Sequence, residues 1–175
     1  MRNFTHIILL LLLVTGTMAG QTKKEKKQMK KEAEAKEFAV TRALVESGIF
    51  EFRADWATSN QGVQVNLATN PNHMRLQKEE ADVYLPYFGV ANTANPAFST
   101  EGGVVLRGPV RELRTETNEK KQTVTLHFKG DSSKEKLDFY LTVFRSGNAL
   151  LNINSNVRSG IRYEGEIREM ETKEE

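Results

Sequence analysis

"TVTLHFKGDSSKEKLDFYLTVFRSGNALLNINSNV", residues 123–157, decides the fold. Val124, Leu126 and Phe128, then Leu137, Phe139, Leu141 and Val143, then Leu151, Ile153, Ser155 and Val157 alternate with Thr123, Thr125, His127, Lys129, Asp138, Thr142, Asn152 and Asn154. A period of two sends successive side chains to opposite faces of a strand. One face is then buried and the other wet, the habit of antiparallel sheets. The interruptions "GDSSKE" (130–135) and "SGN" (146–148) are short and polar, as hairpin loops are.

The pattern extends in both directions. "RSG" (158–160) leads into Ile161, Tyr163 and Ile167, and "NEK" (118–120) separates Thr123 from a strand beginning near Val110. This predicts a five-strand meander from about Val110 to Arg168. In "IFEFRADWA" (49–57) Phe50, Phe52, Ala54 and Trp56 alternate with Glu51, Arg53 and Asp55, and in "VQVNL" Val63, Val65 and Leu67 alternate with Gln64 and Asn66. Further strands are expected near 73–77, 82–86 and 103–107. Before them, Gln28 to Glu46 are good helix formers without Gly or Pro, and Met29, Ala33, Val40 and Leu44 fall on one helical side. Ser47-Gly48 closes that helix. The expected fold is mainly β: an antiparallel β-sandwich or a curled, barrel-like meander of about ten strands, with one N-terminal α-helix over an open end or edge.

The ends of the chain carry different information. "MRNFTHIILLLLLVTGTMAGQ" has a basic start, an apolar run from Ile7 to Val14 and small residues up to Ala19, the three parts of a secretory signal. That run is far short of the roughly 20 residues a spanning helix needs, so no permanent transmembrane segment is expected. No cysteine follows it, which excludes a bacterial lipoprotein anchor. The expected organisation is a signal peptide over 1–19, a charged, partly frayed helical lead over 20–37, and a single β-rich domain over 38–175. The protein is expected to be exported, to the periplasm or beyond, after cleavage near Ala19. Loss of Arg2 leaves 24 basic against 23 acidic residues, a balance that points neither to nucleic acid nor to a strongly anionic partner. Charge is unevenly placed, with seven Lys in 23–37 and six Glu in 164–175. Two solvated termini account for this, as does mutual attraction or an anionic membrane surface.

The residues that carry chemistry are sparse. Beyond the leader there are only His73 and His127, no Cys, and no carboxylates at metal-loop spacing, so neither metal nor cofactor is expected. His127 reads as a solvated strand residue, and neither histidine has a sequence context that suggests a partner. There is no G-x-S-x-G elbow, and "TEGGVVLRG" enters a strand rather than the helix start a phosphate cradle uses. Paired carboxylates of the glycosidase kind are harder to dismiss, but the visible acids sit on wet strand positions or at the termini. A hydrolase is the third reading, behind two non-enzymatic ones.

"YLPYFGVANTANPAF", residues 84–98, gathers four aromatic rings and two prolines. Tyr84, Tyr87, Phe88 and Phe98 are the candidate ligand-binding residues. They either line the mouth of an apolar cavity or plug one end of the sheet, each ring burying about 150–250 Å². The first alternative makes this an exported binder of an apolar or amphipathic small molecule. The second class is a structural or interaction protein of the envelope, using sheet edges or the lysine-rich helix against another protein.

"YLPYFG" (84–89), "GGVVLRG" (102–108) and "GNALLNINSNVRSGIRYEGEI" (147–167) together resemble the exported bacterial family called domain of unknown function 4251. Its members end in a strand of the form aromatic-x-Gly-x-Ile, matched by Tyr163, Gly165 and Ile167. The resemblance covers the whole chain after the leader and implies a Gram-negative envelope protein. It implies no activity. This chain departs from the family after Gly89, where Val90 and "NTANPAFSTE" replace a basic residue and a more aromatic, glycine-rich loop.

Overall fold

The computed structural model describes residues 23–88 and 103–170. Helix α1 spans Lys23–Glu46. It ends where the Ser47 hydroxyl donates to the Leu44 carbonyl at 2.7 Å and Gly48 takes φ +66°, a conformation cheap only for glycine. Two compact units divide the chain, Met1–Ala35 and Lys36–Glu175, with the boundary inside α1. In the second unit α1 buries Phe38, Thr41 and Val45. Val40 is largely exposed and Leu44 only half-buried, so the docked stripe differs from the expected one. Thr41 belongs inside because its hydroxyl donates to the Arg145 carbonyl at 2.7 Å, which meets the cost of burying a polar group.

Ten strands follow: β1 (Ile49–Ser59), β2 (Gln64–Asn66), β3 (His73–Gln77), β4 (Glu80–Leu85), β5 (Val104–Pro109), β6 (Arg111–Asn118), β7 (Thr123–Asp131), β8 (Lys136–Phe144), β9 (Asn148–Ser155) and β10 (Ile161–Arg168). All pair antiparallel in the order β5-β4-β3-β1-β10-β9-β8-β7-β6, with β2 also on β1. The result is one nearly closed, barrel-like sheet, the curled alternative of the two expected. Its two end strands, β5 and β6, are consecutive in sequence and separated by Val110 alone. The chain thus leaves one edge of the sheet and enters the other. Gly108 (φ +130°) and Glu112 (φ +54°), with a register shift between Arg111 and Arg114, make that corner. Leu106 of β5 reaches Gly130 of β7, where an added Cβ would lie 2.3 Å from a Leu106 methyl.

β1 holds the sheet together, pairing with β3 and β2 on one side and with β10 on the other. A bulge between Ala54 and Trp56 inverts its phase. Phe50, Phe52 and Ala54 point inward before the bulge and Ala57 and Ser59 after it, so Trp56 is partly exposed rather than buried. Two residues stabilise the break. Buried Asn72 accepts from the Ala54 amide (2.7 Å) and donates to the Ala54 carbonyl (3.0 Å), replacing ladder bonds missing between β3 and β2. Gly165 lies against the other side, where a Cβ would sit 1.9 Å from the Arg53 carbonyl oxygen. Inside, the inward residues of the strands form one cluster that includes stacked Phe128 and Phe139, 4.5 Å apart.

Candidate binding site

Where β4 runs out, Pro86 ends regular pairing and Tyr87 turns inward. Tyr87 is 6% exposed. Its hydroxyl donates to the Ser159 carbonyl at 2.9 Å and lies 2.9 Å from the Ser159 hydroxyl. The Arg158 guanidinium stands 4.6 Å from the Tyr87 ring centroid, a cation–π contact. Arg158 (8% exposed) grips Glu135 (6% exposed) with both arms of its fork: Nε donates to Oε2 at 3.0 Å and Nη2 to Oε1. The Ser155 hydroxyl donates to the same Oε2 at 2.6 Å. Below them Tyr163 donates to the Pro86 carbonyl at 2.8 Å, and its burial pushes the phenol pKa far above the usual value. Three chain segments meet here: the exit of β4, the β7–β8 hairpin and the β9–β10 connection.

The four candidate residues therefore part company. Tyr87 is an anchor. Tyr84 and Phe88 remain 41% and 40% exposed. Tyr84 faces Val105 across β4–β5 and His73 across β3–β4, its ring 6.4 Å from the imidazole. With Val105 also 39% exposed, an apolar patch spans β4 and β5 on the outer wall, beside His73 of β3. Phe98 lies outside the described residues.

The lock itself was hidden in the sequence. Glu135 and Arg158 read there as loop charges, and the alternation expected to continue to Val157 stops at Ser155, so that Arg158 turns in. Among the described residues Glu135 is the one buried acid.

The outer wall pairs its charges across strands. Arg107 meets Asp82 at 3.3 Å and Arg75 meets Glu51 at 2.6 Å. Arg111 meets Asp131 at 2.6 Å and Lys129 meets Glu112 at 2.7 Å. The Lys129 hydrogen bond holds the Glu112 carboxyl below its usual pKa. Contrary to the sequence expectation, both histidines have carboxylate partners: His73 Nε2 lies 3.1 Å from Asp82, and His127 Nε2 lies 2.6 Å from Asp138. The His127 ring stacks on Tyr140 at 4.4 Å, and the Tyr140 hydroxyl donates to Asp138 at 3.1 Å, raising its own pKa. Near the other end of β6–β8, Glu116, Lys121, Thr125, Thr142 and Phe144 line a shallow depression of about 400 Å³. Among the described residues no three His, Asp or Glu converge as a metal set, and no helix is long and apolar enough to cross a membrane.

The sequence profile of the family Domain of unknown function (DUF4251) matches residues 32–167, and the chain belongs to that family. A crystal structure of a DUF4251 family protein from Bacteroides eggerthii has a similar fold, with TM-score 0.60 and 21% identity over 79% of this chain and 91% of that one. At that identity the likeness concerns the fold alone. No curated protein matches the chain.

Proposed function

We propose that this is an exported, non-enzymatic binding protein of the Gram-negative cell envelope, and that it takes an apolar or amphipathic small molecule on the patch formed by Tyr84 and Val105, with Phe88 nearby in sequence. One observation carries the reading. The aromatic segment spends Tyr87 on anchoring the strand end, yet leaves Tyr84 and Phe88 about two-fifths exposed on either side of it in sequence. Tyr84 and Val105 lie side by side across β4 and β5, an exposed apolar pair that the anchoring of Tyr87 does not use. The non-enzymatic part is supported by Glu135, whose two oxygens are both engaged by Arg158 and Ser155 and so are not poised as a general base.

The test is native mass spectrometry of protein purified gently from the envelope of its own host. Extra mass that is lost on denaturation and absent from Tyr84→Ala/Phe88→Ala supports the reading, provided Tyr87→Phe retains it. A bare mass for the wild-type protein overturns the small-molecule ligand and favours the second class, a structural or interaction protein. Cell fractionation tests the export part separately: a chain found in the cytoplasm with its first residues intact would sink it.

A further inference from the structure

We infer that the first half of α1 is an electrostatic docking face for a bilayer surface of anionic lipid. Lys23, Lys26, Lys27, Lys30 and Lys31 recur at i, i+3, i+4, i+7 and i+8, the spacing that places residues on one side of a helix, and Lys24 flanks them. Glu25, Gln28 and Glu32 recur at i, i+3 and i+7 on the opposite side, where Gln28 donates to Glu32 at 3.2 Å. The stripe ends where Lys30 meets Glu34 at 3.9 Å. From Lys23 to Lys31 every residue is exposed.

This arrangement works against the helix that carries it. Lys23/Lys27, Lys26/Lys30 and Lys27/Lys31 are like charges four apart, a spacing at which they repel. They also crowd the amino end, where the helix dipole favours acids. An anionic surface laid along the stripe relieves both strains at once.

The chemistry of the face selects the occupant. Its cations are all lysine, compact point charges on flexible stems, with none of the planar arginine forks suited to one carboxylate or phosphate. It carries no Trp, Tyr or Phe to act as the buried anchor of a protein interface or as a stacking platform for single-stranded nucleic acid. A diffuse array of lipid headgroups needs neither fork nor anchor, and clusters of four to eight Lys on a helix are the pattern such surfaces attract. Met29 stands off the stripe, so contact is by adsorption rather than insertion.

The proposal shares with the envelope reading the expectation that the chain meets a membrane, but its test is independent of where the chain resides. Protein purified from the host is sedimented with vesicles of phosphatidylglycerol and phosphatidylcholine in equal parts, or of phosphatidylcholine alone, at low and at physiological salt. The expected result is binding to the anionic vesicles alone, weakened by salt, and weakened about fivefold at low salt by each Lys→Gln change within the stripe. The decisive variant is the charge-conserving swap Lys23→Glu/Glu25→Lys/Lys30→Glu/Glu32→Lys, which keeps net charge and breaks the face. Loss of binding in the swap supports the stripe, and undiminished binding overturns it in favour of net charge. Equal binding to both vesicles, or to neither, overturns the proposal. So does retention on soluble polyglutamate with no vesicle binding, which would point to an acidic protein partner.

Discussion

Glu135–Arg158 at the end of the barrel and Glu51–Arg75 on its outer wall use the same two side chains at similar distances, 3.0 Å for one arm of the first and 2.6 Å for the second. Their surroundings differ. The first pair is almost wholly out of water and fastens three chain segments, whereas in the second Glu51 is 12% exposed but Arg75 keeps 43% of its side chain in water and belongs to a row that continues through Asp82 to Arg107. In water a lost partner is replaced by solvent. Inside, it leaves an uncompensated charge. The same contact is a fastening in one place and a decoration in the other.

The largest expected effect separates them directly. Glu135→Ala should cost about 3–5 kcal/mol in chemical denaturation, because Arg158 stays buried without its partner. The double change Glu135→Leu/Arg158→Met should recover most of that loss. A single variant costing under about 1 kcal/mol would break the comparison. Next, Tyr87→Phe keeps the ring beside Arg158 but removes the hydroxyl bonded to Ser159, and should cost about 1 kcal/mol. Phe88→Ala, at an exposed site, should stay within about 0.5 kcal/mol by the same assay. Glu51→Ala leaves Arg75 in reach of water and of Asp82, and should cost at most about 1 kcal/mol, shrinking further when the unfolding curves are repeated in high salt.

The smallest effect is one of pH. The Lys129 hydrogen bond lowers the Glu112 pKa from its ordinary 4.5. A lowered carboxylate contributes stability above its unfolded pKa, and that contribution disappears as pH falls through the lower folded value. The acid limb of a stability–pH profile should therefore be slightly flatter in Glu112→Gln than in the wild-type protein. An identical slope would mean that solvent already screens the pair completely.

The strands were legible because half-burial writes a period of two into each one, and the hairpin loops are local. The phase change in β1 was not, since the bulge beside Ala54 depends on Asn72 and on Gly165 of the last strand, and neither relation leaves a mark within "IFEFRADWA". In α1 the docked face was misplaced because Thr41 counts as polar until its carbonyl partner is known. The aromatic segment announced itself by composition and alternation set Tyr84 outward, but the turn of Tyr87 inward depends on Arg158 and Ser159, about six dozen positions away and invisible to any local pattern. Pairings between distant residues are set by the closed sheet, so Glu135 and Arg158 looked like ordinary loop charges.

The pairing of β1 with β10 also governs the order of events when the chain folds. Residues near Phe52 find their permanent neighbours only at Ile167, so a strand formed early must wait for the last one before its second edge is covered. The β7–β8–β9–β10 hairpins can assemble from local contacts as they emerge, while the first half of the sheet gains its central partner late. In a chain built this way the second edge of β1 stays open until β10 is made, however much of the rest has already paired.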